Sequence, residues 1–504
     1  MRTRATLSLL LTQLLLLAIA VRAAEDCSKW AKHSSIASLT PRVQSLLGLL
    51  STWRQQHDIA AIKREADEKN WNALCSRRFV ANGQFDLGCN LFGNHYSAAT
   101  SALFAAVVLN RTMIINGDLD PDETVASTCQ GSLSLRPWVV TRKKLEPLLE
   151  MAGCNNVYND PGVEWWKKAY NFVTQNPSSK DDPGVTRQCG YARSKKLVLV
   201  FDDLFNSAVE LFHKNQFLSQ DARRRTELLL SNPAGLDMAR FESYGLLLRS
   251  FVGVTNQTVE LAKAALDGVA HRAAHAAAPP HECFGTGGIL PLPLHDEQFF
   301  TIGVHLRHKR VDPALEQLYD LAAEKGLVLL KNQHAEAGKK CVILVASDRA
   351  AAIRHIQTFG ATMGCQVRFI ERNFSATITE RQSQEHYEET GPWAEARMSI
   401  ADWFLLSHSS LFFGTADSTF SFLIANQVAA RAALRSGGDS TPTNTFLWAF
   451  PPSPLLQKPP ESIALDKHWQ SSIPPTPDKP GVAVMEHIQY QQERGNTKCP
   501  LPPV

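Results

Sequence analysis

Thr301-Ile302-Gly303-Val304-His305-Leu306-Arg307 is an apolar run that ends in His-x-Arg. Such a run reads as a buried strand, and its last residue delivers a permanent cation to the strand's C-terminal end. Open α/β sheets bind ligands just outside that end. A guanidinium there can fork onto two phosphate oxygens and stays charged at any relevant pH. Downstream, Phe412-Phe413-Gly414-Thr415-Ala416-Asp417-Ser418-Thr419-Phe420-Ser421 gives a second strand followed by a hydroxyl-rich turn. A helix opening at Ser418-Thr419-Phe420 offers hydroxyls and free backbone N–H groups, which suit phosphate oxygens. Arg307 and this turn together make half of a clamp for a nucleotide diphosphate. Ser418, Thr419 and Ser421 would serve equally as plain helix caps, because capping uses the same N–H groups. His305 either positions the backbone or a phosphate, or is a packed core histidine. Asp348 follows the run Cys341 to Ala346, and Asp402 heads Trp403-Phe404-Leu405-Leu406. Each is a structural charge or a contact to a nucleobase or sugar hydroxyl.

The elements that must hold these residues form a regular series. Strand 299–306 is followed by helix 313–326, strand 341–346 by helix 349–359, and strand 366–370 by helix 395–407. Strand 411–414 and helix 419–430 close the series. Strands alternating with helices over short loops imply a parallel sheet covered on both faces. Earlier in the chain, residues 25–75 read as helical, with an apolar stripe of Val43, Leu46, Leu47, Leu50 and Trp53. A Gly/Asn-rich turn from Asn82 to Asn94 leads into an alanine-rich helix, 96–109, and a strand, Thr112 to Ile115. A second buried strand covers 197–201, and helices fill 205–278. Residues 273–294, rich in Ala, Pro and Gly, read as a linker. The expected architecture is therefore α/β: two Rossmann-like domains, 25–294 and 295–504, facing a central cleft as in the GT-B arrangement. From Pro451 onward a Pro-rich tail is expected on the surface.

At 504 residues the chain exceeds one compact core, and 44% hydrophobic with 20% charged residues is ordinary for a globular protein. A net charge of +3 without a basic stripe gives no nucleic-acid footprint. Arg2 and Arg4 precede an apolar stretch from Ala5 to Val21, so residues 1–24 read as a signal peptide or a short membrane anchor. The expected location is the secretory pathway: Golgi or ER lumen, with a single-pass anchor as one option, or secretion. All ten cysteines lie beyond that segment, and none forms a Cys-x-x-Cys pair. Asn110, Asn256 and Asn373 begin N-glycosylation sequons.

Several of these stretches carry a resemblance. His305-Leu306-Arg307, Asp348 after its strand, and Ala401-Asp402 through Ser418-Thr419-Phe420-Ser421 resemble the C-terminal motifs of the fucosyltransferase superfamily. Leu91-Phe92-Gly93-Asn94, the helix after it and Asn110-Arg111-Thr112 resemble that superfamily's Gly-x-Gly-Asn loop and strand entry. The resemblance implies an inverting, metal-independent GT-B enzyme with GDP-fucose as donor and a glycan or protein hydroxyl as acceptor. It implies that Arg307 binds the β-phosphate and assists leaving-group departure. Ser418, Thr419, Phe420 and nearby N–H groups would hold phosphate, Asp348 and Asp402 would face the nucleotide, and Gly93 and Asn94 would approach the donor sugar. Many members read His-x-Arg-Arg-x-Asp, whereas here His308 stands at the second Arg. No general base is singled out among Asp86, Asp118, Asp312 and Glu316. Two rivals remain: a metal-dependent GT-A transferase using Asp118 and Asp120, with Asp202-Asp203 as a further acidic pair, and a non-catalytic luminal carbohydrate-binding protein on the same fold.

Overall fold

The computed structural model describes residues 40–82, 92–115, 127–128, 132–136, 138–153, 198–201, 208–213, 218–232, 236–266, 299–307, 313–334, 338–371, 393–415, 418–435 and 445–448. The first helix, α1 (Pro41–His57), starts where local chemistry dictates. The Thr40 hydroxyl accepts the Val43 N–H, and Pro41 occupies the first turn, where its missing N–H costs nothing. Asp58 and Asn70 cap α2 (Ile59–Asp67) and α3 (Trp71–Ser76) in the same manner. Then come β1 (Phe79–Asn82), α4 (Phe92–Leu109), β2 (Thr112–Ile115), β3 (Ser127–Thr128), β4 (Leu133–Leu135), β5 (Val140–Thr141), α5 (Arg142–Met151) and β6 (Val198–Phe201). Next are α6 (Ala208–His213), α7 (Gln220–Leu230), α8 (Leu236–Phe251), β7 (Val252–Val254) and α9 (Asn256–Ala265). β5, β2, β1 and β6 form a parallel sheet in that order, while β3, β4 and β7 form a small antiparallel one.

The second half alternates as its sequence requires: β8 (Phe299–Leu306), α10 (Pro313–His334), β9 (Lys340–Ser347), α11 (Ala350–Thr362), β10 (Gln366–Arg368), α12 (Trp393–Leu406), β11 (Leu411–Thr415), α13 (Thr419–Arg435) and β12 (Thr445–Trp448). Its sheet runs β10-β9-β8-β11-β12, every pair parallel. A disulfide between Cys341 and Cys365 ties the start of β9 to the residue before β10, with Cα atoms 4.6 Å apart. Cys75 is also disulfide-bonded, and no described cysteine is free.

Strand alternation divides the apolar side chains into three clusters. Phe79, Ala81 and Ile114 face α2, α3 and α5, burying Ile62, Leu74 and Leu145. Ile302, Val304, Ile343, Val345 and Phe413 face α10 and α11, against Leu327, Leu330, Ile353 and Ile356. Between these outer layers one core joins both sheets. Val80, Met113 and Ile115 of the first sheet share it with Val342, Leu344 and Phe412 of the second. Helices α4, α8, α12 and α13 fill it, so the two sheets sandwich a common helical layer. A helix apolar on all sides belongs in such a place, and α4 is buried from Tyr96 through Val108.

Within that layer α8 packs closely on α13. Gly245 permits the approach, since a β-carbon there would collide with the Asn426 carbonyl oxygen. Polar groups fix the contact: Arg249 Nε donates to Gln427 Oε1 (2.7 Å), and Gln427 Nε2 donates to the Gly245 carbonyl (3.1 Å). Arg431 of α13 is also buried, and loss of solvent pushes its guanidinium down to about 9.

Several elements differ from the sequence reading. α4 begins at Phe92, so Gly93 and Asn94 belong to its first turn and not to the preceding loop. α10 runs on to His334, past Gly326, which lies against the Phe413 ring. β1, β5, β7, β12 and the small antiparallel sheet had no counterpart in that reading; each is four residues or shorter. Residues 1–24, the 273–294 segment, Asp86, Asp118, Asp120, Asp202, Asp203, His308, Asp312, Asn373 and the Pro-rich tail lie outside the described residues, as does the Glu316 side chain. Among the described residues no helix is long and apolar enough to cross a membrane. Asn110 terminates α4 at φ 52°, its Oδ1 3.2 Å from His57 Nε2. Asn256 opens α9, and the Thr258 hydroxyl of its sequon is buried, donating to the Ser132 carbonyl (2.7 Å).

Candidate functional site

The second sheet winds outward from β8 in both directions, to β9 and β10 on one side and to β11 and β12 on the other. The helices of the two arms therefore cover opposite faces, α10 and α11 one and α12 and α13 the other, and a crevice opens at the C-terminal ends of β8 and β11. Arg307 is the first residue beyond β8, and Ser418 and Thr419 open α13 beyond β11. Sheet topology thus brings the strand-end cation and the hydroxyl turn to one edge.

The residues at this edge are locked together. His305 is 5% exposed; its Nδ1 lies 2.6 Å from Ser421 Oγ, and its ring packs on Phe420 with centroids 4.8 Å apart. Ser421 is fully buried at this contact, and the His305 tautomer sets which of the two donates. His305 is thereby held against α13. Thr415, the last residue of β11, accepts the Arg307 backbone N–H (3.1 Å) and donates to the His305 carbonyl (3.2 Å). Ser418 is buried at the turn, its N–H donating to the Thr415 carbonyl (3.2 Å) and its carbonyl accepting from the Phe422 N–H (3.2 Å).

The Arg307 guanidinium meets Asp348 at the end of β9, Nη1 to Oδ2 3.3 Å. The two side chains are 41% and 27% exposed, so solvent screens the pair and holds it weakly. An arriving anion of higher charge can compete with that carboxylate for the guanidinium.

The first half contributes a helix N-terminus to the same place. β1 ends at Asn82, and the helix after it, α4, directs its N-terminus at that of α13. Thr419 Oγ1 donates to Asn94 Oδ1 at 2.6 Å. A β-carbon on Gly93 would stand 2.7 Å from Thr419 Oγ1 and 2.8 Å from the Phe420 nitrogen, closer than real contacts allow. Phe92 fills the gap behind, its ring 5.5 Å from Trp403 and 6.2 Å from Phe420. Two helix N-termini in contact concentrate partial positive charge at the sheet edge that carries Arg307.

His305, Arg307, Asp348, Ser418, Thr419, Phe420, Gly93 and Asn94 therefore converge. Asp402 is a helix residue of the same half. It lies in the interior of α12, beside Trp403, and is 4% exposed, so it is not a first-turn charge. Thr415 had been passed over as a strand residue. Its role depends on which strand lies beside β11, and no local pattern in the sequence carries that register.

No protein-family model matches the chain, and no curated protein matches it. Among solved structures, the chain is similar to a mutant of Arabidopsis thaliana FUT1 in complex with GDP, at 14% identity and a TM-score of 0.43, covering 82% of this chain and 80% of that one. It is similar to the fucosyltransferase NodZ from Bradyrhizobium at 14% identity and a TM-score of 0.34, covering 71% and 93%. POFUT1 in complex with GDP matches at 12% identity and a TM-score of 0.32, covering 74% and 98%. What the chain is similar to, across most of its length, is a set of α/β fucosyltransferase structures.

Proposed function

We propose that the chain is a glycosyltransferase that takes fucose from GDP-fucose and places it on a glycan or protein hydroxyl, with inversion and without a metal ion. The observation that carries this reading is the convergence of Arg307 with the abutting N-termini of α4 and α13, at a topological switch point and with both sheets contributing. Transfer from a nucleotide sugar breaks the bond between the sugar's anomeric carbon and a β-phosphate oxygen. The diphosphate leaves with added negative charge, and fixed cations and N–H donors stabilise it without reorganising. Arg307 supplies the cation, and the first turn of α13 supplies N–H donors. Asn94, whose Oδ1 is taken by Thr419, keeps its NH₂ group as a donor toward the sugar side. The choice of GDP-fucose rests on the resemblance of His305-Leu306-Arg307 and Ser418-Thr419-Phe420-Ser421 to the superfamily motifs. The apolar segment after Arg4 and the Cys341–Cys365 disulfide support a luminal or secreted location.

Calorimetric titration of the full-length protein with GDP in EDTA tests this, with Arg307→Ala beside it. Micromolar binding that weakens at least about 100-fold in the variant is expected, the loss due to a charge-assisted, bidentate contact. Binding that requires Mn²⁺ and survives Arg307→Ala would overturn the reading in favour of Asp118 and Asp120. Absence of GDP binding by folded protein would favour the non-catalytic carbohydrate-binding alternative.

A further inference from the structure

The side chain that would hold the diphosphate hangs from backbone just beyond the end of the sheet ladder. β11 pairs with β8 from Leu411↔Ile302 to Gly414↔His305, and the pairing stops there. Arg307 comes next but one, past the last paired rung. Thr415 fills that place with its side chain. A hydroxyl has one proton to give and lone pairs to accept with, and Thr415 uses both: it gives its proton to the His305 carbonyl and takes the Arg307 N–H. Thr415 is 1% exposed, so water has no ready access to take over either bond. Its β-branched side chain has few rotamers, which makes this a stiff bridge.

We infer that Thr415 is a positioning residue for Arg307: its hydroxyl extends the β8–β11 pairing beyond the last backbone rung and fixes the point from which the guanidinium reaches the diphosphate. This rests on the reading of Arg307 as the diphosphate ligand. Displacements of about 1 Å at a reacting centre can cost on the order of 100-fold in rate. Loss of the bridge is therefore expected to be felt at the ligand, although Thr415 does not touch it.

The test compares GDP affinity of the full-length wild type, Thr415→Val and Thr415→Ser. Valine keeps the shape and removes both hydrogen bonds, and an affinity loss of about 10-fold or more is expected. Serine keeps the hydroxyl and should stay within about threefold of wild type. In an Arg307→Ala background, measured at millimolar GDP, Thr415→Val should cost less than about twofold, because the group it positions is gone. Wild-type GDP binding with an unchanged Thr415→Val variant overturns the inference alone. An equal loss in the Arg307→Ala background also overturns it, since Thr415 would then act on something else. No GDP binding by wild type overturns the reading of the site as well. If Thr415→Val does not fold, hydrogen exchange at the Arg307 amide of the wild type decides: slow exchange is expected, and exchange at the rate of an open loop overturns the bridge.

Discussion

Gly93 is the residue on which the meeting of the two halves turns, because nothing larger fits between α4 and the start of α13. Gly93→Ala places a β-carbon within 2.8 Å of the Phe420 backbone nitrogen, and backbone cannot swing aside as a side-chain tip could. The helix ends must separate, at a cost of about 1–3 kcal/mol. GDP affinity should fall at least about 10-fold as the paired N-termini part. Gly48→Ala in α1 provides the contrast: no heavy atom lies within 4 Å of its added carbon, and stability should rise by up to about 1 kcal/mol. Chemical denaturation with GDP titration of both variants checks this. At this scale the sequence was readable where a property is local. A cation ending an apolar run, and hydroxyls opening a helix, are visible without a fold, so Arg307, Ser418 and Thr419 could be picked out. Ser421 looked like one more phosphate hydroxyl until its partner was seen to be His305, 116 residues away. Asp402 lies inside α12, whose start at Trp393 falls within two residues of the expected helix.

The elements follow from pattern where they are long. β8 and β9, at eight residues each, fell within a residue or two of their expected bounds. β1 is central to its sheet and, like β2 and β6, four residues long, but its Phe-Val-Ala-Asn run lacks their continuous Ile, Val and Leu character. The alternation of the second half also explains how stability and function can be separated along a strand. The Cys341–Cys365 disulfide staples the N-terminal ends of β9 and β10, whereas Asp348 and Arg307 stand at the opposite edge. Closing a loop with a sequence separation of 24 restricts the unfolded chain by about 3 kcal/mol. Replacing both cysteines by alanine should lower unfolding stability by about that amount while GDP affinity stays within about twofold. A large drop in affinity at unchanged fold would show that the two edges are coupled.

The whole molecule is less divisible than its repeated α/β pattern suggests. Each half has its own parallel sheet, as expected, and the linker-like composition at 273–294 says nothing of how much apolar surface each half turns toward the other. In the structure α8 and α13, from opposite halves, interlock through Gly245 and Gln427, and a single core passes through both sheets. Neither half can lose its fold without exposing the other's buried face. Unfolding should accordingly be one transition, with far-UV circular dichroism and GDP binding lost together and the calorimetric enthalpy equal to the van't Hoff enthalpy. Two resolved heat-capacity peaks would contradict it.

The same interlocking bears on how the protein is made. Ribosomes deliver the chain from its first residue, so α4 and α8 emerge long before α13 exists to cover them. Until residue 435 has cleared the exit tunnel, the flank around Phe241 lacks the α13 surface that carries Phe422. The growing polypeptide must spend that interval guarded by chaperones, and a gene fragment encoding only the first half should yield aggregates.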